Sequence, residues 1–419
     1  MGIECTLTQN WQTKAYLLSS MLQRKKPLNW LSLTIVTVFF GNPEHCHALD
    51  LILAQLEAIG LIPHVSYVNE VFGGVISHNE PRFSFEGVLQ LSLDADLEKL
   101  AGLGVTLHFD AIYPHGEGLT DDYVQDLNRF SNIDAYDSLR LGELWAEKTF
   151  ENLRIRVGQI AADRLFFISD QAALFLNSGF GTPSPVSLNF NLSIYPALGL
   201  GGYFEWTSPQ QLHLKVALFD AMPGQEKTSN LHNLAFHWNP SAGVSALMEL
   251  ERSFPGHNGQ QLGTLKAGCM WSRPNIEEDV RSFRHYGYLL YGIAERVLFA
   301  KRAEPDKELQ GLGVFARACY SNGGAEITPL YIDAGLTCVG LLPGRDSDRL
   351  GIGFSYLRLN ERYVNRETLP NHSEFVVETT YKAPIGSHFS VQPDLQYILQ
   401  PGGRSGNALL LGVRFSFQF

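Results

Sequence analysis

The last stretch of the chain, from about Glu374 to Phe419, constrains the fold most, because its side chains alternate with a period of two. Leu409, Leu411, Val413, Phe415, Phe417 and Phe419 are apolar, while Gly412, Arg414, Ser416 and Gln418 between them are small or polar. Upstream, Phe375, Val377 and Tyr381 alternate with Glu374, Glu378 and Lys382, and Leu395, Tyr397 and Leu399 with Asp394 and Gln396. Successive residues of a strand point to opposite faces, so each of these segments is a strand with one oily and one wet face. An aromatic at the tip of the final strand leaves no room for a terminal helix, and that strand is expected to close a sheet.

Alternation alone fits a soluble sandwich as well as a membrane barrel. In a sandwich the apolar face meets another sheet; in a transmembrane barrel it meets lipid and the polar face lines a watery lumen. Aromatics near the strand ends resemble a membrane-interface girdle. Full charges and amides at mid-strand need a wet interior. Both features favour the barrel.

A chain of 419 residues would ordinarily hold more than one soluble domain, but a single large barrel is an allowed exception. Mean hydropathy of −0.06 excludes a helical membrane protein, and a net charge of −11 argues against nucleic-acid binding. Arg24, Lys25 and Lys26, the apolar run Leu31 to Phe40 and the small residue Ala48 read as an export signal covering residues 1–48, with Met21 as the candidate initiator. Residues 49–62 are expected to form a short segment, helical in pattern, and 63–419 one barrel. Of the five cysteines, Cys269, Cys319 and Cys338 remain after the signal, which allows at most one bridge. No Cys/His cluster has metal spacing, and no metal or cofactor is expected.

Seventeen segments read as strands: 64–77, 82–97, 103–112, 137–150, 153–162, 200–207, 211–219, 231–239, 242–252, 262–272, 286–300, 309–320, 328–341, 348–359, 372–383, 387–399 and 408–419. A single-chain barrel with both ends on one side of the membrane needs an even number. The fold expected is therefore all-β, a transmembrane antiparallel barrel of about sixteen strands with short inner turns and longer outer loops, the surplus strand lying between 231 and 285. Outer loops are expected at 113–136, 163–199 and 360–371.

The polar face carries the candidate channel residues. Around the hairpin turn Glu151-Asn152, Glu143 and Glu147 lie on one face of the first strand, Arg154 and Arg156 on one face of the next, and a two-residue turn sets Glu147 opposite Arg156. The set belongs in the lumen, either as groups that hydrogen-bond a passing solute or as a salt-bridge ladder that solvates the wall. Arg82, Glu86, Gln90, His108, Asp110, Glu205, Lys215, Glu374, Asp394 and Gln396 are further inward candidates. The loop at 163–199 holds Asp163, Arg164, Phe166, Phe167 and the run FLNSGFG, and either folds inward or forms a surface lid. Motifs of hydrolases and phosphate binders are missing, and adjacent His372 and Ser373 point to opposite faces, so no catalytic residue is assigned.

With these residues in view, the sequence resembles the OprB family of carbohydrate-selective porins. The resemblance runs from about Val71 to Phe419 and rests on RLGELWAEKTFENLRIRVGQIAADRLFF (140–167), FLNSGFG with IYPALGLGGYFEW (175–206), GLTCVGLLPGRDSDRLGIGFSY (335–356) and VVETTYKAPIGSHFSVQPDLQYILQPGG (376–403). It implies a sixteen-stranded barrel in the bacterial outer membrane through which glucose-like sugars diffuse passively. It further implies Glu143, Glu147, Arg154, Arg156, Asp163 and Arg164 as channel residues, Arg345 with Asp348 as a structural turn, and Phe419 as the residue read by the barrel-assembly machinery. Small sugars and outer-membrane lipid are the expected partners, and an oligomer is allowed. A general cation-preferring porin and a plugged barrel with a surface-interaction role remain alternatives.

Overall fold

The structure, a computed structural model, describes residues 43–76, 81–221, 243–256, 261–274, 287–300, 309–322 and 327–419, with positions 223, 230–234, 236 and 238 between them. Up to Ala58 the described residues form helix α1 (Pro43–Ala58), which begins before the expected processing point at Ala48. From Ile59 onward the chain is a closed barrel of sixteen antiparallel strands in sequence order, the first pairing with the last. The first eight are β1 (Leu61–Ile76), β2 (Arg82–Asp96), β3 (Thr106–Glu117), β4 (Arg140–Phe150), β5 (Leu153–Ile160), β6 (Gly199–Thr207), β7 (Leu212–Asp220) and β8 (Gly243–Pro255). The second eight are β9 (Gln261–Pro274), β10 (Gly287–Ala300), β11 (Gly311–Asn322), β12 (Leu330–Val339), β13 (Arg349–Arg358), β14 (Ser373–Ile385), β15 (Phe389–Leu399) and β16 (Asn407–Gln418).

Closure satisfies the backbone groups that an open sheet would leave at two edges, which lipid cannot do. The seam runs from Ser66 opposite Gln418 to Ile76 opposite Ala408. Phe419 extends it, its N–H donating to the Val65 carbonyl at 2.9 Å while its own carbonyl accepts from Val65 N at 3.0 Å.

The expected strand at 231–239 is not one. β7 and β8 pair directly, Leu212 with Arg252 through Asp220 with Val244, and leave no slot between them. Leu234, Phe236 and Trp238 do alternate, but they are exposed, and the described residues nearby make turns. His232 instead docks on the start of β4, its carbonyl accepting from Leu141 N at 2.9 Å and its Nδ1 lying 2.7 Å from the Leu139 carbonyl. The loop expected from 113 starts later as well, because β3 continues to Glu117.

Connections at the end that carries both barrel termini include Glu151-Asn152, 208–211 and 386–388; those at the opposite end include 118–139, 161–198 and 359–372. On the outer face Phe109, Val157, Leu218, Leu290, Leu336 and Leu411 are exposed, as a surface meeting lipid requires. Exposed aromatics sit near the strand limits, with Phe150, Trp206, Phe254 and Phe299 towards the terminus end and Phe83, Trp271, Tyr288 and Tyr320 towards the other.

The buried apolar residues lie inside the ring. Phe166, Phe167, Val186 and Phe190 of the 161–198 loop pack on Tyr203, Phe219, Leu247, Met270 and Leu289, which point inward from β6 to β10. Phe72 of β1 packs with Leu119, Tyr123 and Phe130 of the 118–139 loop. Both loops therefore fold into the barrel and narrow it.

Candidate functional site

Wall carboxylates hold the two loops by their backbone amides. Glu374 accepts from Leu127 N at 2.8 Å, Asn128 N at 2.9 Å and Gly402 N at 2.6 Å. Glu378 accepts from Leu176 N and Asn177 N, Glu143 from Ala161 N, and Glu295 from Gln171 N and the Ser169 hydroxyl. The buried guanidinium of Arg317, paired with Asp333 directly opposite it, donates to the carbonyls of Phe167, Gly179 and Gly181. Hydrogen bonds to the loop main chain replace the water that these buried polar groups have lost. Gln396 also holds the loops, with Asp394 beside it. Both residues face inward on β15 but are buried beneath the loops, with Gln396 donating to the Phe130 carbonyl and to Asp394 and accepting from Asn177.

A second set forms a belt across β2 to β9, in the halves of the strands nearer the termini. Glu147 and Arg156 are opposite each other, as the hairpin register predicts, and bonded at 2.8 Å. Arg154 contacts Glu205, which also accepts from the Tyr203 hydroxyl at 2.8 Å and lies 3.0 Å from His213 Nδ1. Lys215 bonds Glu249 at 2.9 Å and Glu251 at 2.8 Å, and Lys266 reaches Glu251 at 3.4 Å. The Arg156 guanidinium lies 3.7 Å over the Trp145 ring, and the His108 ring stacks on Trp145 at 4.7 Å. Trp145, Tyr203, Glu249 and Glu251 were absent from the sequence candidates, although the same alternation that marks their neighbours places them inward.

A β-bulge joins the belt to the 161–198 loop. Phe109 pairs with Leu144 and Ala111 with Leu141, so Gly142 and Glu143 of β4 face the single residue Asp110 of β3. Gly142 is needed there, since a Cβ would come within 2.8 Å of the Asp110 carboxylate. Arg164, reaching back from the loop, bonds Glu143 at 2.8 Å and Asp110 at 3.2 Å. Asp163 beside it points the other way, accepting from Tyr195 N at 3.3 Å, and burial pushes its carboxyl up to about 6.

Asp163 also lines a cavity of about 1490 Å³ between the two inward loops. Its walls include Glu117, Asp121, Asp122 and Asp134 against Arg82 and Arg129, with Tyr136, Phe180, Phe190 and Tyr195. Glu147, Arg154 and Arg156 are not among its lining residues.

Arg345 and Asp348 are placed at the 340–348 turn, where Arg345 Nε meets Asp348 at 2.9 Å and Arg345 Nη2 donates to the Pro384 carbonyl at 3.2 Å. Phe419 stacks on His388 at 4.5 Å. The Ser373 hydroxyl donates to the Gln400 side chain. Cys269, Cys319 and Cys338 are free thiols.

Residues 82–419 match the family model of carbohydrate-selective porins of the OprB family. Porin B of Pseudomonas aeruginosa is 22% identical over 377 residues, covering 78% of this chain and 80% of that protein. A structure of Pseudomonas putida OprB at high pH superimposes with a TM-score of 0.75 at 19% identity, over 87% of this chain and 96% of that one. The low-pH structure of the same protein gives 0.58 at 16% identity, over 87% and 95%. A sixteen-stranded barrel with inward loops and a charged lumen, matched over most of its length by that family model, belongs to the OprB family of carbohydrate-selective porins and is an outer-membrane porin through which sugars diffuse passively.

Proposed function

We propose that the solute enters by the cavity between the inward loops, passes Asp163 and Arg164, and leaves along the belt of Glu147, Arg154, Arg156 and Glu205. The observation that carries this reading is the pairing within the belt. Two guanidiniums and two carboxylates neutralise one another, yet Arg154 and Arg164 keep 38% and 44% of their side-chain surface exposed. A neutral, hydroxylated solute then finds donors and acceptors that replace its water one for one, without a net charge to hold it. Asp110 supports Arg164 from beneath, while Gln396, backed by Asp394, and the other loop anchors set how far the passage is narrowed.

The test is single-channel conductance in a planar bilayer with glucose titrated in. A saturable fall, weakened in Arg154→Gln and Arg156→Gln, is expected. Open channels indifferent to sugar would remove the sugar site, and silent, correctly folded barrels would favour a plugged, surface-interacting role. The acidic excess on the cavity wall supports a second reading, a general preference for cations, which reversal potentials in a KCl gradient measure.

Export by a signal ending near Ala48, initiation at Met21 and recognition of Phe419 by the barrel-assembly machinery complete the proposal. Intact mass of the outer-membrane protein, with Leu49 as its expected first residue, checks the processing site. Gly2 or Ile3 on the precursor would remove the Met21 start.

A further inference from the structure

The bulge between β3 and β4 gathers His108, Asp110 and Glu143 with one potential ligand atom from each within 4.8 Å of the others. Sequence spacing hid the set, because Glu143 comes from the next strand. Two buried atoms here have no hydrogen-bond partner. They are Nε2 of His108, a residue 9% exposed, and Oδ1 of Asp110, 1% exposed. His108 Nδ1 lies 2.7 Å from Asp94 Oδ1. A carboxylate on one imidazole nitrogen fixes the tautomer that leaves the other nitrogen's lone pair free, the arrangement found behind metal-bound histidines.

We propose that His108, Asp110 and Glu143 bind a divalent transition-metal ion of the Zn²⁺ class, in exchange with the guanidinium of Arg164. One imidazole and two carboxylates make a borderline nitrogen and oxygen set suited to such an ion. The positive charge now shared by the two carboxylates comes from Arg164, whose side chain keeps 44% of its surface exposed. The ion supplies that charge twice over. Bonds of about 2.0–2.2 Å require the ligand atoms to draw together by roughly an ångström, which side-chain rotation allows.

The experiment is calorimetric titration of Zn²⁺ into the folded, chelator-washed and tag-free protein, with far-UV circular dichroism confirming the barrel in each variant. Arg164→Gln removes the competitor and is expected to bind one Zn²⁺ per chain about tenfold more tightly than the wild type. Adding Asp94→Asn to Arg164→Gln is expected to weaken that binding by about 10- to 100-fold, and adding His108→Gln, which removes a ligand outright, by more. No binding to folded Arg164→Gln protein would overturn the site. So would binding that His108→Gln leaves unchanged, since the ion would then sit elsewhere.

Discussion

Replacing Arg317 with methionine separates the wall from the loop it holds. Arg317 is 3% exposed and makes two sets of bonds, one to Asp333 across the β11–β12 ladder and one to the carbonyls of Phe167, Gly179 and Gly181. Removing one partner of a buried ion pair costs about 3–5 kcal/mol, because the other charge is stranded. Hydrogen bonds to a charged donor contribute about 1.5–3 kcal/mol each, not additively. Assigning about 3 kcal/mol to the loop, at the low end, raises the population of its open state by roughly a hundredfold, since each 1.4 kcal/mol is tenfold. Hydrogen exchange of the peptide around 175–186 should accelerate by that factor, while β14 and β15 serve as an unmoved reference. Conductance should rise. In the double variant Arg317→Met with Asp333→Leu the stranded carboxylate is gone, so the wall should recover and the loop should stay loose. Faster exchange in β11 and β12 with an unchanged loop would refute the reasoning, since Arg317 would then brace only the wall.

Asp163 gives a pH effect of definite sign. Its folded value of about 6 lies above the roughly 3.9 of an unfolded aspartate, so its contribution to loop stability is full below the unfolded value and is lost as pH rises through 6. Loop exchange, corrected for intrinsic rates, should slow as pH falls from 6 to 4, and Asp163→Asn should flatten that dependence. Glu378 takes the two amides on separate oxygens, so Glu378→Gln keeps one acceptor, sets an NH2 against the other N–H, and should speed exchange of Leu176 and Asn177 by about tenfold; no change would mean those amides are held elsewhere. Gly142→Val should push the Asp110 carboxylate aside and loosen Arg164, seen as a weaker sugar block and a smaller conductance change on titration. An unaltered block would detach the bulge from solute passage.

The ring of strands was legible because period two survives on every wall, and the Glu147–Arg156 pair was legible because a two-residue turn fixes register. Residues 231–239 misled for the same reason. Leu234, Phe236 and Trp238 have the alternation of a strand, but a strand also needs neighbours to pair with, and β7 and β8 had already taken one another. Asp394 and Gln396 face inward, as alternation implies, yet both are buried, Gln396 against Phe130 and Asn177, residues far away in the chain. Facing inward follows from local geometry. Whether water reaches an inward residue depends on loops whose docking leaves no periodic trace.

The loops are gripped mostly by their main chain. Leu127, Asn128, Ala161, Gln171, Leu176 and Asn177 each offer an N–H to a wall carboxylate, and that bond is indifferent to the side chain beyond it. Mutation can therefore redraw what the loops present to a solute while the mooring stays intact, with proline, which has no N–H to give, as the substitution those positions forbid. The wall acts as a fixed socket for an editable insert, so a change of solute need not be a change of fold.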